Sequence, residues 1–263
     1  MDVVEVRDPA DERLGDFRDL TDADVRPDRR GVVIAEGVNV VARLIGSRYP
    51  VRAVFGVASR IDALRAELEP LDVPVFVADK WLLSAVVGFR VTRGVLASAS
   101  RPVALDARAL LAAARHVAVL EGLNDFENLG ALFRNAAAFG VDGVLLDHSC
   151  ADPLYRRSVR VSMGHVLRVP FAVLPGRWPD ALDGVRDAGL RLLALTPRSS
   201  ATALPDIDIP PRWAVLVGAE GPGLSEAALA AADEQVRIPM ADGVDSLNVA
   251  TAAAVAFSQL RRS

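Results

Sequence analysis

Five polar residues of this chain stand where their types and surroundings suit chemistry: Asn128, Arg134, Glu220, Ser246 and Asn248. Glu220 sits inside Gly218-Ala-Glu-Gly-Pro-Gly223, which follows the apolar run 214–217 and precedes Ser225, a suitable cap for the next helix. Three glycines in such a turn permit positive φ and let backbone amides come close to a ligand. A tight strand-to-helix turn accounts for one or two of them and leaves Glu220 unexplained. Their G-x-x-G-x-G spacing differs from the G-x-G-x-x-G fingerprint of dinucleotide binding, which argues against a nicotinamide-dependent oxidoreductase. Farther on, Ile238-Pro-Met240 leads into an apolar helix opened by Leu247, which Asp245 or Ser246 can cap; capping does not call for Asn248 in the first turn. Asn128 precedes a third apolar pattern, 129–139, whose sole charge is Arg134, six residues beyond Asn128 and not quite on its face. A guanidinium there either steadies an anion or a developing negative charge, or is a solvated outer-face side chain.

Other candidates are weaker. His116, His148 and His165 lack metal-ligand spacing, so no metal is expected, and no Ser-His-Asp arrangement is recognisable. Cys150 is the single cysteine, which excludes an intramolecular disulfide and suits a reducing compartment. Arg156, Arg157, Arg160 and Arg168 surround one predicted helix, either to meet phosphates or as a solvated face; Arg29 and Arg30, near the first strand, are similar candidates for RNA contact. The net charge of −4 disfavours non-specific coating of nucleic acid, yet nearly all the cations are Arg, the side chain that forks onto phosphate and stacks on bases. Neither a signal-peptide pattern nor an apolar run of membrane-spanning length is present, so the expected location is the cytoplasm, with no membrane partner.

The elements that must hold these residues form two α/β series. In the first, apolar runs at 32–35, 51–57 and 73–77 alternate with helical patterns at 38–45, 61–68 and 81–87, with Ser59 and Asp79 in N-cap positions, after a polar and poorly patterned opening. Residues 98–106 read as a linker, and a helix is expected at 107–114. The second series has strands at 117–120, 143–146, 171–173, 192–195, 214–217 and 235–238, with helices at 129–139, 155–163, 179–188, 226–232 and 247–260. Such alternation predicts a mostly parallel sheet covered on both faces, with ligands at the carboxyl ends of its strands. The domain boundaries that follow are 1–100 and 107–263.

Asn128-Leu-Gly-Ala…Arg134…Phe139-Gly-Val141, Gly218-Ala-Glu-Gly-Pro-Gly223 and Ile238-Pro-Met240…Ser246-Leu-Asn-Val249 resemble, in order and spacing, the three motifs of SpoU-type RNA ribose 2′-O-methyltransferases of the SPOUT superfamily. The match runs from about Val117 to the C-terminus, and residues 1–100 resemble the small ribosomal-protein-like RNA substrate domain often joined to that family. The resemblance implies a knotted α/β fold, in which the C-terminal segment threads a loop to form an S-adenosylmethionine pocket, and a homodimer with active sites at its interface. It implies that Arg134 is the main catalytic residue, supported by Asn128, Glu220, Ser246 and Asn248. Groups around Gly218, Ile238 and Leu247, with Thr196 and Met240 nearby, would hold the methyl donor. The implied substrate is a ribose 2′-hydroxyl of structured ribosomal or transfer RNA. A non-catalytic RNA-binding protein on the same fold is the alternative, against which the joint presence of Arg134, Glu220, Ser246 and Asn248 argues. The chain departs from the pattern at Phe126-Glu127, where Pro-Gly is common, and at Asp242, where Gly is common; both bear on loop shape and RNA access.

Overall fold

A computed structural model describes residues 2–21 and 31–261. Arg29 and Arg30, expected to contact RNA, lie outside the described residues. In chain order the first elements are β1 (Asp2–Glu5), β2 (Val32–Glu36), α1 (Val38–Ile45), β3 (Val51–Gly56), α2 (Ala58–Asp62), α3 (Arg65–Leu68), β4 (Pro74–Val77), α4 (Lys80–Val87) and β5 (Val95–Ser100). There follow α5 (Ala107–Ala113), β6 (His116–Glu121), α6 (Phe126–Phe139), β7 (Gly143–Leu146), α7 (Arg156–Val161), β8 (Phe171–Val173), α8 (Asp183–Asp187) and β9 (Arg191–Leu195). The chain finishes with β10 (Thr202–Ala203), β11 (Trp213–Gly218), α9 (Glu226–Ala231), β12 (Glu234–Arg237) and α10 (Val249–Leu260).

These elements form two compact units, one of residues 1–103 with 153–168 and the other of 104–152 with 169–263. The segment carrying α7, which sequence order assigns to the second α/β series, thus packs with the first: α7 lies against β2 and covers that edge strand, all five of whose residues are buried. The first unit holds a mixed sheet in the order β1-β4-β3-β5-β2, parallel across β1, β4 and β3 and antiparallel on both sides of β5. The opening segment is ordered into β1 and a 3-10 turn at Glu12–Phe17. Leu14, Phe17 and Leu20, all at most 1 % exposed, recur every third residue, the 3-10 period, which an α-helical or strand template passes over. Phe17 meets Phe55 in the core at 5.6 Å between ring centroids.

The second unit is a seven-stranded sheet in the order β10-β12-β9-β11-β6-β7-β8, with every pairing parallel and helices on its faces. All six residues of β11 are buried, as expected of a continuous apolar run in a sheet covered on both sides. Trp213 anchors this core, stacked on His116 at 4.6 Å and on Phe257 of α10 at 6.1 Å. Helices α6 and α10 pack together, and Asn135 Nδ2 donates to the Ala250 carbonyl at 2.7 Å where they meet.

Local differences from the pattern have local causes. Asp79 caps α4, accepting from Leu82 N at 2.8 Å, whereas α2 begins at Ala58 on Val57, ahead of Ser59 and without a side-chain cap. The 61–68 pattern is two short helices, and 179–188 is a 3-10 turn followed by α8. Ser98–Ser100 complete β5 and do not belong to a linker, because Ser98, Ala99 and Ser100 pair with Ile34, Val33 and Val32.

Candidate active site

The loop after β11 begins with a residue that only glycine can provide. A Cβ on Gly218 would fall 2.2 Å from the Gly223 carbonyl carbon and 2.4 Å from Leu224 N, so the chain can fold back on itself here only without a side chain. Gly221 and Gly223 take φ of 90° and 70°, and Gly223 N closes the turn on the Ala219 carbonyl at 3.0 Å. Ser225 then caps α9, its Oγ accepting from Ala228 N at 3.1 Å.

A neighbouring strand ties this loop down. The parallel register of β11 on β6 sets Gly218 beside Glu121. The Glu121 carboxylate accepts from Ser225 N at 2.9 Å, Ser225 Oγ at 2.6 Å and Trp178 Nε1 at 2.6 Å. Sequence reasoning missed Glu121. Its available signal is an acidic residue closing an otherwise apolar strand at the carboxyl edge of a parallel sheet.

Three residues far apart in sequence form one polar chain. Asn128, buried in the first turn of α6, donates from Nδ2 to Glu220 Oε2 at 2.9 Å and accepts at Oδ1 from Asn248 Nδ2 at 2.7 Å. Asn248 is itself the N-cap of α10, its Oδ1 accepting from Ala250 N at 3.0 Å and Thr251 N at 3.2 Å. Two expectations are corrected here. Helix α10 starts at Val249 and is capped by Asn248, not opened by Leu247 under Asp245 or Ser246; and Asn128 lies within α6, not ahead of it. The latter follows from Asp125, whose Oδ1 accepts from Glu127 N at 3.0 Å and Asn128 N at 2.7 Å and so starts the helix three residues earlier. That cap also shows how Phe126-Glu127 opens the helix without a Pro-Gly pair.

A cavity of about 420 Å³ opens at the carboxyl ends of β9, β11 and β12. Thr196, Gly218, Ile238, Met240 and Leu247 line it, and so do Glu220, Ser246 and Asn248. Leu195, Val217, Leu229 and Val249 contribute apolar wall. Asn128 is off the wall and joins it through its two hydrogen bonds. Arg134 is also off the wall, exposed on α6, with no ion-pair or hydrogen-bond partner among the described residues. Arg160 belongs to the other unit. Among the described residues no group of three or more His, Cys, Asp or Glu side chains is placed to hold a metal, and no helix is long and apolar enough to cross a membrane. Burial pushes the Cys150 thiol up to about 12, which disfavours the thiolate, and the side chain accepts from Leu123 N at 3.3 Å while donating to the Leu120 carbonyl at 3.4 Å.

Residues 115–258, which include every cavity-lining residue and Arg134, match the model of the SpoU rRNA methylase family. The chain belongs to that family. A Mycobacterium tuberculosis protein described as an uncharacterized tRNA/rRNA methyltransferase is 51% identical over 269 aligned positions, spanning 100% of this chain and 93% of the relative. The fold matches that of an AdoMet-bound rRNA methyltransferase from Sinorhizobium meliloti, with a TM-score of 0.84 at 24% identity over 99% of this chain and 98% of the other. It also matches that of a protein described as an RNA 2′-O ribose methyltransferase, with a TM-score of 0.81 at 24% identity over 98% of each chain. As a member of that family the protein is an RNA methyltransferase, and the methyl donor of the family is S-adenosylmethionine. Its cavity suits such a ligand. The volume lies within the range of about 300–1,000 Å³ usual for small-molecule sites, and apolar walls accompany a few convergent polar groups and a glycine turn that exposes backbone.

Proposed function

We propose that the protein methylates the ribose 2′-hydroxyl of a nucleotide in structured ribosomal or transfer RNA. The observation that carries this reading is the chain Glu220–Asn128–Asn248, which joins the cavity wall to the start of α6, the helix that presents Arg134 with no side-chain partner among the described residues. When bound, S-adenosylmethionine supplies an electrophilic methyl group on a sulfonium. The residues assigned to hold it are Thr196, Gly218, Ile238, Met240 and Leu247, through backbone groups and apolar contact. Bringing the hydroxyl into line for attack is the larger part of the task, since holding two reactants in attack geometry is worth about 7–11 kcal/mol.

The Arg134 side chain is a planar cation that offers five N–H donors and no acceptor. Its assigned role is to hold the ribose or an adjacent phosphate and to stabilise the developing alkoxide while the oxygen takes the methyl group from the sulfonium and the hydroxyl proton passes to a nearby acceptor such as the Glu220 carboxylate. Asn128 fixes one oxygen of Glu220, and Glu220 Oε1 has no partner among the described residues, so it is an acceptor available to the incoming hydroxyl. Ser246 and Asn248 shape the loop that leads into α10.

The same reading includes a knot, a homodimer and a cytoplasmic location. Support for the knot is that β12 lies between β9 and β10 and is followed by an exposed loop, 241–248, whose last three residues line the cavity before α10 packs on α6. Support for the dimer is apolar exposure on and before α10, at Val255 (40 %) and Leu247 (38 %). In this reading, residues 1–100 bind RNA and residues 107–263 carry the transfer.

The test uses S-adenosylmethionine labelled in its methyl group and bulk ribosomal and transfer RNA. The product should be a 2′-O-methylated nucleoside after nuclease digestion. Arg134→Ala should lower the transfer rate by about 100-fold or more, the scale of losing one charge-stabilising donor, with donor affinity within about two-fold of the parent. Label found on a base, or full activity in Arg134→Ala, would refute the assignment.

A further inference from the structure

The first unit contains a second cavity, of about 370 Å³, lined entirely by its own residues. Three elements each bring one arginine to its wall: Arg60 from α2, Arg93 from the segment before β5, and Arg160 from α7. None of the three side chains has an ion-pair or hydrogen-bond partner among the described residues. Among the described residues the only acidic one on the wall is Glu36, and it is already neutralised: Arg156 Nη1 lies 3.2 Å from Glu36 Oε2, with the two side chains 15% and 3% exposed. Three arginines therefore line one cavity whose wall, among the described residues, has no carboxylate left to balance them.

The backbone adds donors. Helix α1 starts at this cavity, and its N-cap, Gly37, has no side chain with which to cap it. First-turn amides of a helix have no intrahelical acceptor, and the residues in that position, Val38 and Asn39, both line the wall. The arginine stems are seated by close packing. A Cβ on Gly37 would lie 3.4 Å from Arg93 Cβ, and one on Gly94 would lie 3.1 Å from Arg60 Cγ, so each stem runs against bare backbone. The three side chains are exposed, and beside first-turn amides at a concave site their guanidinium forks suit a compact, multiply hydrogen-bonding anion.

We infer that this cavity binds a backbone phosphate of the RNA substrate. The inference rests on the proposal that the substrate is RNA and assigns a phosphate-binding role to the first unit. It is sequence-independent by nature, because holding a phosphate sets register on the nucleic acid and reads no base.

The test compares the parent chain with R60Q/R93Q/R160Q, with the charge-keeping R60K/R93K/R160K, and with R7Q/R52Q/R65Q. The last removes the same charge from the same unit at arginines already paired with Glu5, Asp16 and Asp62. Binding of bulk ribosomal and transfer RNA is followed by fluorescence anisotropy across a salt series. Methylation kinetics, S-adenosylmethionine binding and thermal melting are measured alongside. R60Q/R93Q/R160Q should bind RNA about ten-fold or more weakly, with a log–log salt slope shallower by about 1 for each phosphate no longer neutralised. Its KM for RNA should rise with kcat nearly unchanged, and its melting and donor binding should match the parent. The lysine variant should recover most of the affinity.

If the parent binds RNA and R60Q/R93Q/R160Q binds with the same affinity and slope, the phosphate site is wrong and the RNA reading stands. An equal weakening in R7Q/R52Q/R65Q would show a general charge effect and overturn the site. Inorganic phosphate binding that the glutamines abolish, without any change in RNA affinity, would reassign the cavity to a free anion. A parent that binds S-adenosylmethionine but neither RNA would sink both this inference and the RNA reading.

Discussion

Two carboxylates that take no part in the proposed transfer decide how the working residues stand. Glu121 gathers the Ser225 backbone amide, the Ser225 hydroxyl and the Trp178 indole, so the glycine turn is held from the neighbouring strand as well as by its own geometry. Asp125 starts α6 early enough to carry Asn128 into its first turn, where both ends of the Asn128 amide find partners. In the first unit, Arg156 does comparable service for Glu36. It is stacked 4.3 Å from the Phe89 ring centroid, burial pulls its guanidinium below the usual arginine range, and Glu36 works in the opposite direction. Removing one member of a buried pair strands the other charge. Arg156→Ala should therefore lower stability in chemical denaturation by about 3 kcal/mol, and adding Glu36→Gln should restore much of that stability. A decrease below about 0.5 kcal/mol in the single variant would show that Glu36 is served by solvent.

At the scale of elements, α10 illustrates two duties carried by one side chain. Asn248 Oδ1 caps the helix, while Asn248 Nδ2 fixes Asn128 and through it Glu220. The two can be separated, because Asp caps a helix about as well as Asn but offers no amide donor. Asn248→Ala should melt lower, by about 1 kcal/mol of stability, and should lose transfer activity. Asn248→Asp should keep the parent's melting temperature and lose activity to a similar extent. Parental activity in the Asp variant would mean that the asparagine pair has no functional role. Strands of the second unit were readable because a parallel sheet covered on both faces demands unbroken apolar runs, as in β7, whose observed limits, Gly143–Leu146, are the expected ones. Caps were read less well. Asp125 and Asn248 act on amides two and three residues away and compete with equally plausible neighbours such as Ser246, and only the path of the chain selects between them.

For the molecule as a whole, the proposed dimer is the consequence most open to measurement. Val255 is an exposed apolar residue on α10, the helix packed on α6, and an aspartate there would place an unpaired charge in any interface built on that face. Val255→Asp should shift light-scattering mass from dimer to monomer and should reduce methylation; a parent already monomeric would remove the dimer from the reading. The amino-acid sequence by itself determined the α/β class, most strands and the run of motifs, since these rest on periodicity and residue type within short windows. Only the tertiary structure decided that residues 153–168 join the first unit and that Arg60, Arg93 and Arg160 share a cavity there. It alone paired Asn128 with residues 92 and 120 positions away. Hydrogen bonds and charge clusters of that kind depend on where distant segments are brought by packing, and no local pattern records the partner.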